Sequence, residues 1–151
     1  MRLDIGVRHA NAFEGILMAS MHAACFARAW DKAAMAHLAA SPDTICLIAS
    51  VAGDSGSMPG GLLIARKAAD EAELLTLCVL PACRRMGVAR ALLHEAISAL
   101  RSNGALRLFL EVEDGNQAAR RLYHSFGAIP VGKREGYYEH GADAAIFSLA
   151  L

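Results

Sequence analysis

Apolar residues along this chain change period twice in the same manner. The run Leu74-Leu75-Thr76-Leu77-Cys78-Val79-Leu80 is almost continuously apolar, as in a strand, whereas Val88, Leu92, Leu93, Ala96, Ile97 and Leu100 recur at helical spacing. The change repeats further on. Leu108-Phe109-Leu110-Glu111-Val112 predicts a strand, then Ala118, Ala119, Leu122, Tyr123 and Phe126 share one face of a helix that Gly127 stops. The strand-helix-strand unit over 74–112 needs a crossover, which predicts parallel neighbouring strands joined with right-handed sense.

The flanks carry weaker patterns. Residues 3–7 alternate enough for a first strand. Asn11 with Glu14 three positions on has the form of a capping box, and Phe13, Ile16, Leu17, Met21 and Ala24 are expected on one helical face. Asp31 caps a second short helix running to Ala40, and Ser41-Pro42-Asp43 ends it before a strand at 44–51. Residues 52–60 are expected to form a loop, with 61–66 as the returning strand. Residues 129–133 and 144–149 read as strands around a loop rich in Gly, Tyr and His. The expected class is α+β, and 151 residues suit one domain over 1–151, able to bury about 68–70% of its unfolded surface.

Composition narrows the picture. Hydrophobic residues make up 55% of the chain. No uncharged run approaches the ~18 residues that would span a bilayer, and the polar start Met1-Arg2-Leu3-Asp4 has no signal-peptide pattern, so a cytoplasmic location is expected. Lys+Arg and Asp+Glu balance at 15 each, so charge does not argue for direct nucleic-acid binding. Cys25, Cys46, Cys78 and Cys83 show no metal-ligand spacing and read as small apolar residues, with Cys83 beside Arg84 and Arg85 the candidate for a reactive thiol. His9, His22, His37, His94, His124 and His140 form no metal pair, and no metal is expected. His124 is expected to be exposed.

Chemistry concentrates at the two strand-to-helix junctions. Around Arg84-Arg85-Met86-Gly87-Val88-Ala89-Arg90 a helix starts after a turn. The first helical N–H groups have no intrahelical partners and the macrodipole is positive there, so backbone amides near Gly87 suit a pyrophosphate. The segment is not a Walker loop, and it lacks the first glycine of a dinucleotide fingerprint. The second junction offers Glu113-Asp114-Gly115-Asn116 before its helix.

Together, Arg84-x-x-Gly87-x-Ala89 after one strand and Asn116-x-x-Ala119-x-x-Leu122-Tyr123-x-x-Phe126-Gly127 after the next resemble the acetyl-coenzyme A motifs of the GNAT N-acetyltransferase superfamily over 74–128. Within it, Leu110-Glu111-Val112, Asn116, Leu122-Tyr123 and Gly136-Tyr137-Tyr138 are most similar to the bacterial ribosomal-protein-alanine N-acetyltransferases. Toward the N-terminus only Phe26 and Trp30 are similar. The chain departs from the usual pattern at Ala89, where the last motif glycine stands, at Leu80, where an acidic residue often precedes proline, and at Ala128, a common Phe position.

The resemblance implies a mixed central sheet flanked by helices, with a parallel strand pair that splays to admit the pantetheine arm of acetyl-coenzyme A. It implies coenzyme contacts at Leu77, Cys78 and Val79, at the pyrophosphate turn Arg85, Met86, Gly87, Val88, Ala89 and Arg90, and at the Asn116 side chain. It implies acceptor contacts at Phe26, Trp30, Tyr137 and Tyr138. By themselves Glu111 reads as a solvated strand-end carboxylate and Tyr123 as a core aromatic. The resemblance makes Glu111 the general base, directly or through water, and Tyr123 the general acid toward the departing sulfur, with the Leu77 amide polarising the carbonyl.

An unperturbed α-amine has a pKa of about 7.7–8.0 against about 10.4 for lysine, which makes the neutral nucleophile roughly two to three powers of ten more abundant near neutrality. That favours a protein N-terminus as acceptor, and the resemblance implies the alanine of a small-subunit ribosomal protein as the partner. A small-molecule amine acetyltransferase remains the enzymatic alternative, and a non-catalytic acyl-coenzyme A-binding module would need neither Glu111 nor Tyr123.

Overall fold

The computed structural model describes residues 3–138 and 141–151; Met1 and Arg2 of the polar start, and His140, lie outside the described residues. The chain forms two compact units, Met1–Arg66 with Leu75–Ala99, and Lys67–Leu74 with Leu100–Leu151.

The first unit holds β1 (Asp4–His9), a 3₁₀ turn (Ala12–Glu14), α1 (Gly15–Ala23), α2 (Lys32–Ala40), β2 (Thr44–Gly53) and most of β3 (Gly56–Ala68). It also contains the second half of β4 (Glu71–Val79) and most of α3 (Val88–Ser102). Its strands follow the order β1-β2-β3-β4, with β1–β2 and β2–β3 antiparallel. Met18, Met21, Met35, Cys46, Ile48, Leu62, Ile64 and Cys78 make its core. The expected face of α3 is the one observed, with Val88, Leu92, Leu93, Ala96, Ile97 and Leu100 all buried.

Two expectations here are corrected. The face of α1 is not Phe13, Ile16, Leu17, Met21 and Ala24. Phe13 and Ile16 are 98% and 70% exposed, and the buried residues are Gly15, Met18, Met21 and His22. The Asn11–Glu14 capping box does form, but it opens a 3₁₀ turn, whose three residues per turn rotate the following helix out of the phase a continuous α-helix would have. Gly15 then faces α2, where a Cβ would lie 2.6 Å from the Lys32 carbonyl oxygen. Residues 52–60 are not a loop either. β2 and β3 pair as far as Gly53↔Gly56, leaving only Asp54 and Ser55 at the tip, because ladder hydrogen bonds do not require the apolar alternation that fades there. The register shifts beside Ala49/Ser50, and the Gly60 carbonyl accepts the Leu80 N–H at 2.9 Å.

Gly61 sets how closely α3 approaches the sheet. A Cβ there would meet Val88 Cγ1 at 2.7 Å, Leu92 Cδ1 at 2.9 Å and the Cys78 carbonyl at 3.0 Å.

The second unit holds the start of β4, then β5 (Arg107–Glu113), α4 (Gln117–Ser125), β6 (Ile129–Arg134) and β7 (Ala144–Ala150), in the strand order β4-β5-β7-β6. β4 and β5 are parallel, as the crossover predicts, over the pairs Glu71↔Arg107, Ala72↔Leu108 and Glu73↔Phe109. The described pairs stop there although both strands run on. The other two neighbours are antiparallel. Among the described residues, seven strands with this parallel pair make the mixed sheet expected of the α+β class. Ala119, Leu122, Tyr123 and Phe126 lie on the covered side of α4, while Ala118 is exposed, a correction to the expected face. Gly127, at φ +93°, ends α4: its N–H bonds the His124 carbonyl and the Ala128 N–H reaches back to Tyr123. His124 is exposed, as expected.

Candidate active site

In the first unit the proposed coenzyme strand ends with Thr76 and Cys78 buried and Leu77 and Val79 half-buried. This alternation is the period-two geometry of a strand. The Val79 carbonyl accepts Arg84 Nε at 3.2 Å and the Cys25 thiol at 3.5 Å, so Arg84 folds back to close the turn that follows. A 3₁₀ turn at Pro81–Cys83 comes next. Arg85 and Gly87 then adopt left-handed backbone, φ +63° and +88°. The Gly87 carbonyl accepts the Ala91 N–H at 3.0 Å, so Gly87 is the cap residue of α3, and the N–H groups of Val88, Ala89 and Arg90 belong to its first turn. A Cβ on Gly87 would meet nothing closer than Ile5 Cδ1 at 3.9 Å. The glycine is therefore required by backbone angle and not by crowding, and a strained, open turn of amides at a helix start is a fit for a pyrophosphate.

Cys83 is not the accessible thiol that its neighbours Arg84 and Arg85 suggest. It is 1% exposed, its Sγ against Gly60. Burial pushes the Cys78 thiol up to about 12, with Cys25 nearby adding to the effect, and the Cys46 thiol up to about 11. Both remain protonated packing groups.

Phe26 and Trp30 lie between α1 and α2, and both pack on His22. The His22 ring centroid is 4.5 Å from that of Phe26 and 4.7 Å from that of Trp30, the latter stacked. His22 belongs to no metal-ligand spacing in the sequence. A polar residue in the apolar spacing Met18, Met21, His22 was the available signal.

The second unit gathers the expected catalytic residues. β5 alternates, burying Leu108, Leu110 and Val112 and leaving Phe109, Glu111 and Glu113 half-buried on the other side. Glu111 Oε1 lies 3.2 Å from Arg134 Nη2 on β6, and the Arg134 guanidinium sits 5.3 Å over the Tyr137 ring. Tyr137 meets Tyr138 edge to face at 5.2 Å. Burial, then the charges of Glu111 and Glu113, raise the Tyr138 phenol above its ordinary value. Tyr123 is 5% exposed, edge-on to Phe147 at 6.1 Å, and burial with Tyr138 nearby pushes its phenol up to about 12. Glu111, Tyr123, Tyr137 and Tyr138 are thus brought into one neighbourhood.

Asn116 has a local task. Its Oδ1 caps α4 by accepting the Ala119 N–H at 3.2 Å, which leaves its amide nitrogen as the donor for any ligand. Asp114 takes Arg120 at 2.8 Å and Lys133 at 3.7 Å, and Lys133 also reaches Asp143 at 3.2 Å, so the loop before α4 is tied to β6 by charge. Among the described residues no group of His, Cys, Asp and Glu is arranged to hold a metal ion.

This strand, turn and helix arrangement with a mixed sheet is the fold of the GNAT acyltransferases. The family model "Acetyltransferase (GNAT) family" matches residues 16–128, and the chain belongs to that family. The chain is 39% identical over 85 residues to the [Ribosomal protein bS18]-alanine N-acetyltransferase of Escherichia coli, a stretch covering 54% of this chain and 57% of that protein's own length. It is 35% identical over 116 residues to the N-alpha-acetyltransferase RimI of Mycobacterium tuberculosis, covering 76% of this chain and 72% of that one. The crystal structure of the ribosomal-protein-S18-alanine N-acetyltransferase from Escherichia coli superposes with TM-score 0.83 at 25% identity, over 97% of this chain and 94% of that one. Arabidopsis thaliana NAA60 in complex with acetyl-CoA shares the fold, with TM-score 0.85 at 19% identity over 98% of this chain and 100% of that one.

Proposed function

We propose that this chain is an acetyl-coenzyme A-dependent N-acetyltransferase that modifies a protein N-terminal amine, with the N-terminal alanine of a small-subunit ribosomal protein as acceptor, in the cytoplasm. The carrying observation is the neighbourhood of Glu111, Tyr123 and Tyr138, a carboxylate and a protonated phenol of the kinds an amine acylation needs, in a chain similar to a [Ribosomal protein bS18]-alanine N-acetyltransferase and to an N-alpha-acetyltransferase. Among the described residues no helix is long and apolar enough to cross a membrane.

Bound acetyl-coenzyme A supplies an activated thioester. The turn Arg85, Met86, Gly87, Val88, Ala89 and Arg90 would hold its pyrophosphate by backbone N–H groups, Leu77, Cys78 and Val79 would offer strand backbone to its arm, and Asn116 would offer its amide. The Leu77 N–H would be the donor toward the thioester carbonyl oxygen. Arg134 fixes Glu111 through Oε1, and the carboxylate takes the proton of the attacking amine, directly or through water. Tyr123, its phenol pushed up to about 12 by burial, stays protonated well above neutrality and would be the proton source for the leaving sulfur. By the resemblance, Phe26 and Trp30 of the first unit and Tyr137 and Tyr138 of the second are the acceptor contacts.

The test is mass spectrometry of peptides incubated with the protein and acetyl-coenzyme A, the set differing only in residue one and including N-terminally blocked peptides with an internal lysine. Acetylation confined to free N-termini, fastest with alanine, is the expected result. Modification of the lysine alone, or of small amines but no peptide, would reject the acceptor.

A further inference from the structure

His22 is the one buried imidazole among the described residues, 3% exposed on α1, and both of its ring nitrogens are engaged. Nδ1 accepts the backbone N–H of Trp30 at 3.1 Å, and Nε2 lies 3.2 Å from Thr76 Oγ1 on β4. An N–H donor at Nδ1 requires a lone pair there, so the proton of the neutral ring must sit on Nε2 and be donated to Thr76. The Phe26 N–H is fixed as well, to the His22 carbonyl at 2.9 Å. The segment from Phe26 to Trp30 therefore leaves α1 and is tied back to it at both ends by one residue, whose ring is also covered by the two aromatic side chains.

We propose that His22 is a positioning residue for the acceptor: in the Nε2–H tautomer it anchors the Trp30 backbone and so sets the placement of the Phe26 and Trp30 rings that receive the substrate, without touching the reacting atoms. This rests on the reading that those two aromatics meet the acceptor. Burial lowers the proton affinity of the ring, in keeping with a neutral state. Protonation would put a second N–H against that of Trp30.

The two nitrogens can be separated by substitution. Asparagine places an oxygen near the position of Nδ1 and can still accept from Trp30, glutamine reaches toward Thr76 instead, and alanine does neither. Steady-state kinetics with an N-terminal alanine peptide should show acceptor KM raised about tenfold in His22→Ala and His22→Gln, the loss of one buried hydrogen bond, but much less in His22→Asn. The kcat and acetyl-coenzyme A affinity should stay within about twofold throughout. Equal KM in the Asn and Ala variants, or loss of coenzyme affinity in step with KM, overturns the proposal. Phe26→Ala serves as the control on the underlying reading. If it raises acceptor KM while folded His22 variants do not, the positioning role fails alone; if it leaves KM unchanged, the acceptor placement fails and the proposal with it. The wild-type protein gives a check that needs no variant: imidazole nitrogen NMR at neutral pH should find Nε2 protonated and Nδ1 bare, and the opposite tautomer overturns the assignment.

Discussion

Arg134 Nη2 lies 3.2 Å from Glu111 Oε1, joining the edge strand β6 to the carboxylate of β5. The side chains are 55% and 29% exposed, so the pair contributes little to stability, about 0–1 kcal/mol. Its value is in direction: a carboxylate held by one oxygen has a defined second oxygen for a proton. Glu111→Gln keeps the shape and removes the base, so kcat should fall by about 10²-fold with coenzyme affinity retained. Arg134→Gln should fall less and leave the thermal midpoint nearly unchanged. Wild-type kcat in Glu111→Gln would make the carboxylate a structural group and bring forward the non-catalytic binding module.

Tyr123 ties pH to both rate and stability. Its phenol is pushed up to about 12 by burial and by Tyr138, against about 10 for a free tyrosine. The unfolded chain therefore loses this proton first as pH rises. The stabilisation is complete below about pH 10 and is lost as the pH climbs through the folded value near 12. Denaturant titrations should show this alkaline loss in the wild type and a smaller one in Tyr123→Phe. The same variant should lose about 10²-fold in kcat evenly from about pH 6 to about pH 10, since the acid stays protonated over that span. A loss confined to the alkaline end would mean that another group donates.

Most of the fold was legible where one side of an element is buried along its whole length. α3 shows this best, since six apolar positions at helical spacing name both its extent and its face. Asn11, Asp31 and Gly127 announced helix ends because capping is chemistry local to a few residues. What escaped depends on backbone phase or on contacts distant in sequence. The 3₁₀ turn before α1 rotated Phe13 and Ile16 outward, and the β2–β3 hairpin continued on hydrogen bonds alone. The burial of His22 could be read from its place in the apolar spacing of α1, but its contact with Thr76 could not, because that pair meets only once β4 lies beside α1. For the candidate site, the family motif named Glu111 and Tyr123, but the ion pair with Arg134 depends on β6 and β7 closing the sheet beyond β5.

Gly61 is expected to tolerate a side chain poorly. A Cβ there would sit 2.7 Å from Val88 and 2.9 Å from Leu92, both fully covered, as well as 3.0 Å from backbone. Overpacking of this kind costs about 1–3 kcal/mol, and a chain of this size loses about 2–4 °C of Tm per kcal/mol. Calorimetric scans of Gly61→Ala should show that loss, while Gly6→Ala on β1, with nothing within 4 Å of the new carbon, should stay close to wild type. Equal midpoints would mean that α3 shifts away from the sheet without penalty, and the turn at its start would then be less rigid than the structure implies.

Gly87 tests the coenzyme site itself. Its φ of +88° is far from the −65° that proline requires, and proline would also remove an N–H at the cap of α3. Gly87→Pro should therefore abolish acetyl-coenzyme A binding in calorimetric titration. Gly87→Ala keeps the N–H, has open space for its methyl group, and carries only the cost of left-handed backbone, about 1–2 kcal/mol, so it should fold and bind more weakly than wild type. Arg84→Ala removes the bond from Nε to the Val79 carbonyl, one hydrogen bond at the far side of the turn, and should cost less affinity than Gly87→Pro. The ordering separates a backbone cradle from a side-chain one: if Arg84→Ala abolishes binding while a folded Gly87→Pro retains it, the pyrophosphate is held by arginine charge and not by the amides that begin α3.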